Sequence, residues 1–299
     1  MSLSNNQIHP NIFNFIYHRI KAYGQLTKIR LTSLVVFSSI MAYLFEGVNF
    51  SWMSIVMLSL GGLLVTCSSI SINQLLEKDI DRLMPRTKHR PLPTGEISVI
   101  EATIFAGLSG VIGTAIISFY FNPTAGLLSA LSLLTYAFIY TPFKRISPAA
   151  VFIGAVPGAL PLLIGSTAAV GHITLGGFIL FAIQFLWQIP HFWAIAWVAD
   201  DDYRKGGFSL LPSGKGKSRE AAIQIIPYNV MLILVTFVPY IVGMTGPISL
   251  VIALISGFYF LYIAIQLSID LKEQSARRLM FASFFYIPIV QIAFVLDKI

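Results

Sequence analysis

Nine stretches of mostly apolar residues, at about 31–48, 51–73, 98–118, 122–141, 148–169, 172–198, 221–244, 246–268 and 279–297, constrain this chain more than any other feature. Each is long enough to cross a hydrocarbon layer, which takes roughly 20 helical residues. In lipid every backbone N–H and C=O must be satisfied internally. The stretches therefore predict an all-α integral membrane protein of nine transmembrane helices. Composition agrees, because only 11% of the 299 residues are charged, against about 25% in soluble domains. That balance excludes a disordered chain and a basic nucleic-acid-binding domain, so the expected surroundings are a lipid bilayer and no nucleic acid. The single cysteine, Cys67, cannot form an internal disulfide, which excludes a disulfide-stapled secreted fold.

The basic residues predict the orientation. With nine spans, 19 of the 20 Lys and Arg fall on one side, in the N-terminal segment and in the loops after the second, fourth, sixth and eighth stretches; Lys298 alone falls on the other. The positive-inside rule then puts the N-terminus in the cytoplasm and the C-terminus outside. The first 30 residues have no apolar signal-peptide core, so the first stretch is expected to stay in the mature chain. The expectation is one domain over 1–299, with a cytoplasmic N-terminal segment at 1–30 and a nine-helix bundle at 31–299. The long loops, 74–97 and 199–220, are both cytoplasmic and carry much of the charge, and function concentrates in such loops.

Asn73, Glu77 and Asp81 follow one another at i, i+4 and i+8. On a helix they share one face, about 6 Å apart along the axis. Oxygen ligands suit a hard cation such as Mg²⁺, commonly held by one or two carboxylates plus substrate phosphates. The competing reading is a solvated helix end with Glu77 and Asp81 paired to Lys78 and Arg82. Asn73 weighs against it, because a polar side chain inside an apolar stretch is costly. A second acidic cluster, Asp200-Asp201-Asp202, ends the sixth stretch. Adjacent carboxylates repel unless a cation lies among them. Continuous helical spacing puts Asp201 on the face of Trp193 and Trp197, and Asp202 on that of Val198. Arg86 and Arg90 follow the first cluster, and Tyr140 and Lys144 close the fourth stretch. Two acidic sites ringed by cations match the needs of a diphosphate. His191 follows Pro190 in the run Trp187–Trp193. Three roles are open to it: a structural bond to a carbonyl, an iron ligand, or a partner for a propionate.

Asn73 to Gly95 resembles the first signature of the intramembrane UbiA-type prenyltransferases, Asn-x-x-x-Asp-x-x-x-Asp, with Glu77 replacing the middle Asp. Arg86-Thr87, Arg90-Pro91-Leu92-Pro93, Trp187–Trp193, Leu26-Thr27-Lys28, Tyr140-Thr141-x-x-Lys144-Arg145, Gly158-Ala159-Leu160-Pro161 and Asp202-Tyr203 are similar to its heme-modifying branch. One departure is Trp197, four positions before Asp201, where the superfamily often has Asp; it leaves open whether Asp201 or Asp202 is the main second ligand. The resemblance implies helices around a central cavity open to the cytoplasm and sideways to lipid. It implies farnesyl diphosphate and heme b as substrates and Mg²⁺ as cofactor. The reaction would be farnesyl transfer to the heme 2-vinyl group with water addition, giving heme O and diphosphate. Residue by residue, it gives Asn73, Glu77 and Asp81 to a first Mg²⁺ and Asp201 with Asp202 to a second. Tyr140 and Lys144 would contact diphosphate, assisted by Arg86 and Arg90 and more weakly by Lys28 and Arg30, with His191 as the heme contact. It further implies a bacterial inner membrane, a site on the cytoplasmic side, and heme A synthase or a terminal oxidase assembly receiving the product. Two other readings stay open: an aromatic-acid acceptor in quinone biosynthesis, and an ion-coupled transporter. Transporters usually place charges near the bilayer midplane, and the apolar stretches hold almost no Asp or Glu deeper than one turn.

Overall fold

The computed structural model describes residues 12–47, 51–212 and 216–299. Lys215 and the first eleven residues, which bear on the charge and leader readings above, lie outside the described residues. The long helices are α1 Ile12–Leu26, α2 Ile29–Phe45, α3 Trp52–Leu76, α4 Val99–Tyr120, α5 Pro123–Phe143, α6 Ala150–Val170, α7 Leu175–Val198, α8 Arg219–Ile241, α9 Pro247–Asp270 and α10 Glu273–Leu296. Among the described residues there is no strand, only an isolated bridge between Thr245 and Lys298.

Eight helices, α3 to α10, are long and apolar enough to cross a membrane, and α1 with α2 makes a ninth if the bent pair counts as one span. The first predicted span is thus shorter than expected: α2 has 17 residues and meets α1 at 55°. The break falls at Lys28, whose left-handed backbone (φ 47°) turns the chain. α1 keeps Ile12, Phe15, Ile16 and Ile20 exposed on one side. Its other side is held by Tyr23, which donates to Glu101 at 2.6 Å, and by Arg19, which donates to the Glu96 carbonyl at 2.9 Å. An exposed apolar stripe on a charged helix suits the membrane surface.

Helix starts carry the caps their sequence supplies. Ser98 accepts from the Glu101 amide, Asn122 from Ala125, Thr174 from Gly177 and Ser218 from Ala221, each satisfying an otherwise orphaned donor. Successive helices pack side by side from α2 to α10, and α10 returns to α2, so the spans close into a ring. α6 is the most buried of them, and it leans inward between α2, α5 and α7. Small residues permit that approach, as is common where helices pack in membranes. At Gly165 an added Cβ would overlap the backbone carbonyl of Ser39 on α2. Gly165→Ala should cost about 1–3 kcal/mol through overpacking. The expected result is a fall of several degrees in the thermal-inactivation midpoint in detergent, with an unchanged midpoint counting against this packing account.

A proline of the innermost helix frees a carbonyl that another helix then uses. Pro161 has no N–H for the Pro157 carbonyl, and Ser132 on α5 donates to that oxygen at 3.1 Å. Pro142 sits just after a π-helical turn, Thr135–Tyr140, near the end of α5. Its missing N–H and its ring disfavour α-helical bonding to the preceding turn, and such bulges gather at functional sites. The loops after α3, α5 and α7 all reach the same end of the bundle as α1, and together they enclose a polar chamber.

Candidate active site

The first acidic cluster is built across a break. α3 ends at Leu76, Glu77 leaves helical geometry (φ −98°, ψ 5°), and a single turn resumes at Lys78–Asp81. The continuous helix expected through Asp81 is therefore interrupted. The i→i+4 backbone bonds Glu77 to Asn73 and Asp81 to Glu77 persist, at 3.0 and 2.8 Å. The spacing survives, and all three residues line one chamber of about 170 Å³. Asp79 points the other way, with its side chain 87% exposed.

Each acid already has a cation. Arg90 donates to Asp81 at 2.7 Å, and the Lys144 ammonium lies 2.5 Å from Glu77. The alternative pairing with Lys78 and Arg82 is not the one adopted: Arg82 pairs with Asp79. Asn73 donates to Thr141 at 3.0 Å, and Thr141 donates to the Tyr136 carbonyl in the π turn at 2.9 Å. That chain orients the Asn73 amide. The π turn also brings Tyr136 and Tyr140 to the chamber together, 5.3 Å apart. Gly154 leaves room for the Tyr140 ring, since a Cβ there would stand 2.6 Å from it. Lys144 lies over the Tyr140 ring at 4.9 Å, a cation–π arrangement strengthened by desolvation.

Lys28, Arg86 and Arg90 complete the lining. Burial, reinforced by Arg90 and Lys144 and opposed by Glu77, lowers the Lys28 ammonium from its ordinary value to about 7. Burial also lowers Lys144, with Glu77 opposing. Four cations crowd two carboxylates here, so the chamber favours an anion.

The second cluster departs from the expected face. Continuous helical spacing put Asp201 with Trp193 and Trp197, but Ala199 breaks the helix (φ −102°, ψ 15°), and the short helix Asp200–Lys205 restarts in a new phase. Trp197 is buried, whereas Asp201 is 84% exposed at its side chain and faces Lys217 at 3.7 Å. Asp200 turns inward to Arg204 at 3.0 Å. Asp202 is the intermediate one, 22% exposed beside Tyr203, which lines the chamber. Arg30 is exposed and does not line the chamber. Among the described residues no three His, Cys, Asp or Glu side chains converge as they do around a bound ion. The first cluster nevertheless fits a hard cation: its donors are all oxygen, and Asp81 Oδ1 is buried with no hydrogen-bond partner.

Two apolar chambers adjoin the polar one, and all three share Leu31 and Tyr136. One, about 90 Å³, runs between α2, α3, α5 and α6 to Ile117. The other, about 180 Å³, lies between α2, α6, α7 and α10 and contains Tyr140, Gln188 and His191. Its rim residues Leu34 and Phe284 are exposed on the lipid side. Sequence reasoning missed Tyr136, although its i, i+4 relation to Tyr140 ahead of a proline was a usable signal. Nothing local singled out Ser283, which meets His191 from α10.

A ring of apolar helices holding an acidic and basic chamber above greasy ones defines an intramembrane enzyme for a diphosphate with a long apolar tail. The chain belongs to the UbiA prenyltransferase family, whose model matches residues 34–287. It is 48% identical to the protoheme IX farnesyltransferase of Cytophaga hutchinsonii over 94% of this chain and 99% of that protein. In fold it is similar to a solved digeranylgeranylglyceryl phosphate synthase (TM-score 0.78, 21% identity, 93% of this chain and 98% of that one). It is also similar in fold to a UbiA homolog from Archaeoglobus fulgidus bound to GPP and Mg²⁺ (TM-score 0.66, 17% identity, 92% and 99% covered).

Proposed function

We propose that this protein transfers the farnesyl group of farnesyl diphosphate to the 2-vinyl group of heme b, with addition of water, giving heme O and diphosphate. The observation that carries the reading is the meeting of a cationic chamber and a histidine-bearing apolar chamber at Tyr136 and Tyr140. The name of the Cytophaga relative at 48% identity supports it.

Asn73, Glu77 and Asp81 would hold one Mg²⁺, and Asp202, with Asp201 on its water side, a second. Bound there, Mg²⁺ supplies charge compensation for the departing diphosphate. The Mg²⁺ of the Archaeoglobus homolog supports this. Lys144, Arg90, Arg86 and Lys28 bind the diphosphate oxygens, with Lys144 and Arg90 giving up Glu77 and Asp81 as the anion enters. Tyr140 orients Lys144. Preorganised cations aimed at developing negative charge lower the barrier to ionisation. The apolar chambers keep water from the allylic cation until the vinyl carbon attacks C1; the resulting cation beside the pyrrole then takes one water, whose proton leaves to the released diphosphate. Charge asymmetry supports a cytoplasmic site and an outer C-terminus, the one family model over residues 34–287 supports a single domain, and the bacterial relative supports a bacterial inner membrane; heme A synthase or an oxidase assembly would be the recipient.

The test is an assay of purified protein in detergent with heme b, farnesyl diphosphate and Mg²⁺, read by product mass. The expected product is heme gaining farnesyl plus water, lost on chelation and restored by Mg²⁺. Prenyl transfer to a phenolic acid with inert heme would instead assign the aromatic-acid reading.

A further inference from the structure

We propose that His191 ligates the heme iron through Nε2, and that Ser283 is the positioning residue that fixes the imidazole in the tautomer able to do so. The proposal rests on the heme reading above and deepens it. The Ser283 hydroxyl donates to the Met280 carbonyl at 2.5 Å, one turn back on α10. Its only proton is thereby committed. His191 Nδ1 lies 2.7 Å from the same oxygen, so Nδ1 carries the proton and donates. Nε2 then has a lone pair and no proton. It has no hydrogen-bond partner among the described residues, and His191 lines the chamber between α2, α6, α7 and α10. A ligating histidine is commonly arranged this way, one nitrogen free and the other donating to a fixed acceptor that sets tautomer and ring angle.

The ring cannot turn freely. It stacks on Trp187 at 4.6 Å and 15°, and Phe284 meets it edge-on at 5.1 Å. Trp187 in turn donates its indole N–H to the Ser283 backbone carbonyl at 2.9 Å. One residue of α10 therefore holds both the ring and its stacking partner. Both glutamines of this chamber are already engaged. Gln188 donates to the Ala155 carbonyl at 3.0 Å, and Gln184 Oε1 accepts from Gln291 at 3.2 Å.

The same geometry argues against the other two roles. A propionate would bring an acceptor to a bare acceptor. Receiving it would take a proton on Nε2, and no carboxylate of the chain lines the chamber to hold an imidazolium before the propionate arrives, a buried charge that is costly until paired. A purely structural histidine needs only Nδ1, whereas here Nε2 is left with nothing to bind except a guest. Ligation would also tether the macrocycle near Tyr140, which lines both this chamber and the diphosphate chamber.

The experiment is a titration of the purified full-length chain in detergent with ferrous heme b, followed by Soret and magnetic circular dichroism spectra, with farnesyl transfer measured on the same preparation. Wild type should show a nitrogen-ligated spectrum. His191→Gly should lose it, and added imidazole should restore it. Ser283→Ala leaves the backbone contact to Trp187 in place and should weaken heme affinity roughly 10–100-fold, as loss of such supporting partners does. Ser283→Thr, which keeps the hydroxyl, should recover most of it. Farnesyl transfer with a His191→Gly spectrum identical to wild type overturns ligation and leaves the heme reading standing. Unchanged affinity in Ser283→Ala overturns the tautomer role. A wild type that neither shifts the heme spectrum nor prenylates heme removes the heme reading and this inference together.

Discussion

Asp81→Asn is expected to lower farnesyl diphosphate consumption by roughly a hundred- to a thousandfold, the scale seen when one preorganised electrostatic group of an active site is removed. The substitution is nearly isosteric, and Asp81 is fully buried, so the effect reads charge more than shape. Two losses combine. A chamber-lining carboxylate with a buried, unpartnered Oδ1 disappears, and Arg90, held to Asp81 at 2.7 Å, becomes a partly buried cation without its partner. The internal control is Asp79→Asn, two residues away, whose side chain is 87% exposed and paired with Arg82. That variant should stay within about twofold of wild type, because exposed pairs contribute little. Rates of diphosphate release for both variants, at saturating Mg²⁺ and over a Mg²⁺ series, decide the matter. An Asp81→Asn enzyme keeping a tenth of the wild-type rate would remove the first cluster from the chemistry.

The second large effect concerns chain length. The chamber between α2, α3, α5 and α6 is lined at its far end by Gly62 and Ile117. Asn73 and Gly62 are eleven residues apart on α3, about 16 Å along a helix axis. An extended carbon chain advances roughly 5 Å per five-carbon unit at ordinary bond lengths, so three units fill that depth and a fourth meets Ile117. Ile117→Ala should raise kcat/KM for geranylgeranyl over farnesyl diphosphate by on the order of 10-fold or more. Gly62→Val should do the opposite, favouring geranyl diphosphate by a similar factor. Single methylenes in an apolar pocket discriminate about 10–200-fold. A Cβ at Gly62 would stand 3.3 Å from Val36 Cγ2, a movable side-chain end, so that variant should fold. Competition assays with mixed chain lengths give the ratio directly. Unchanged selectivity in both variants would place the prenyl tail in another chamber.

Much of the fold was legible because a bilayer restricts the choices. Twenty apolar residues without internal charge have little alternative to a helix, and the 19-to-1 split of basic residues led to nine crossings, where the structure has eight spanning helices, or nine with the bent α1–α2 pair. The first cluster was legible for a related reason: Asn73, Glu77 and Asp81 repeat at helical spacing, and the i→i+4 bonds hold that spacing even where Glu77 leaves the helix. The second cluster was not. Its face depends on the backbone at Ala199, where a small change of φ and ψ rotates everything that follows, so that Asp201 turns to water and Asp200 to Arg204. Arg30 was misleading because a charge at a helix start looks the same in sequence whether it faces a cavity or water.

The sequence by itself determined a helical membrane protein, the count of its apolar stretches, the clustering of its cations on one side and the acids that face them. These follow from composition, period and local spacing, which act within a few turns of chain. Only the tertiary structure decided which cation pairs with which acid, how three chambers meet at Tyr136, and that Ser283 on α10 meets Nδ1 of His191 on α7. Those facts depend on distances between helices far apart in the chain. They are set by packing such as Gly165 against Ser39, which has no signature in any one stretch of residues.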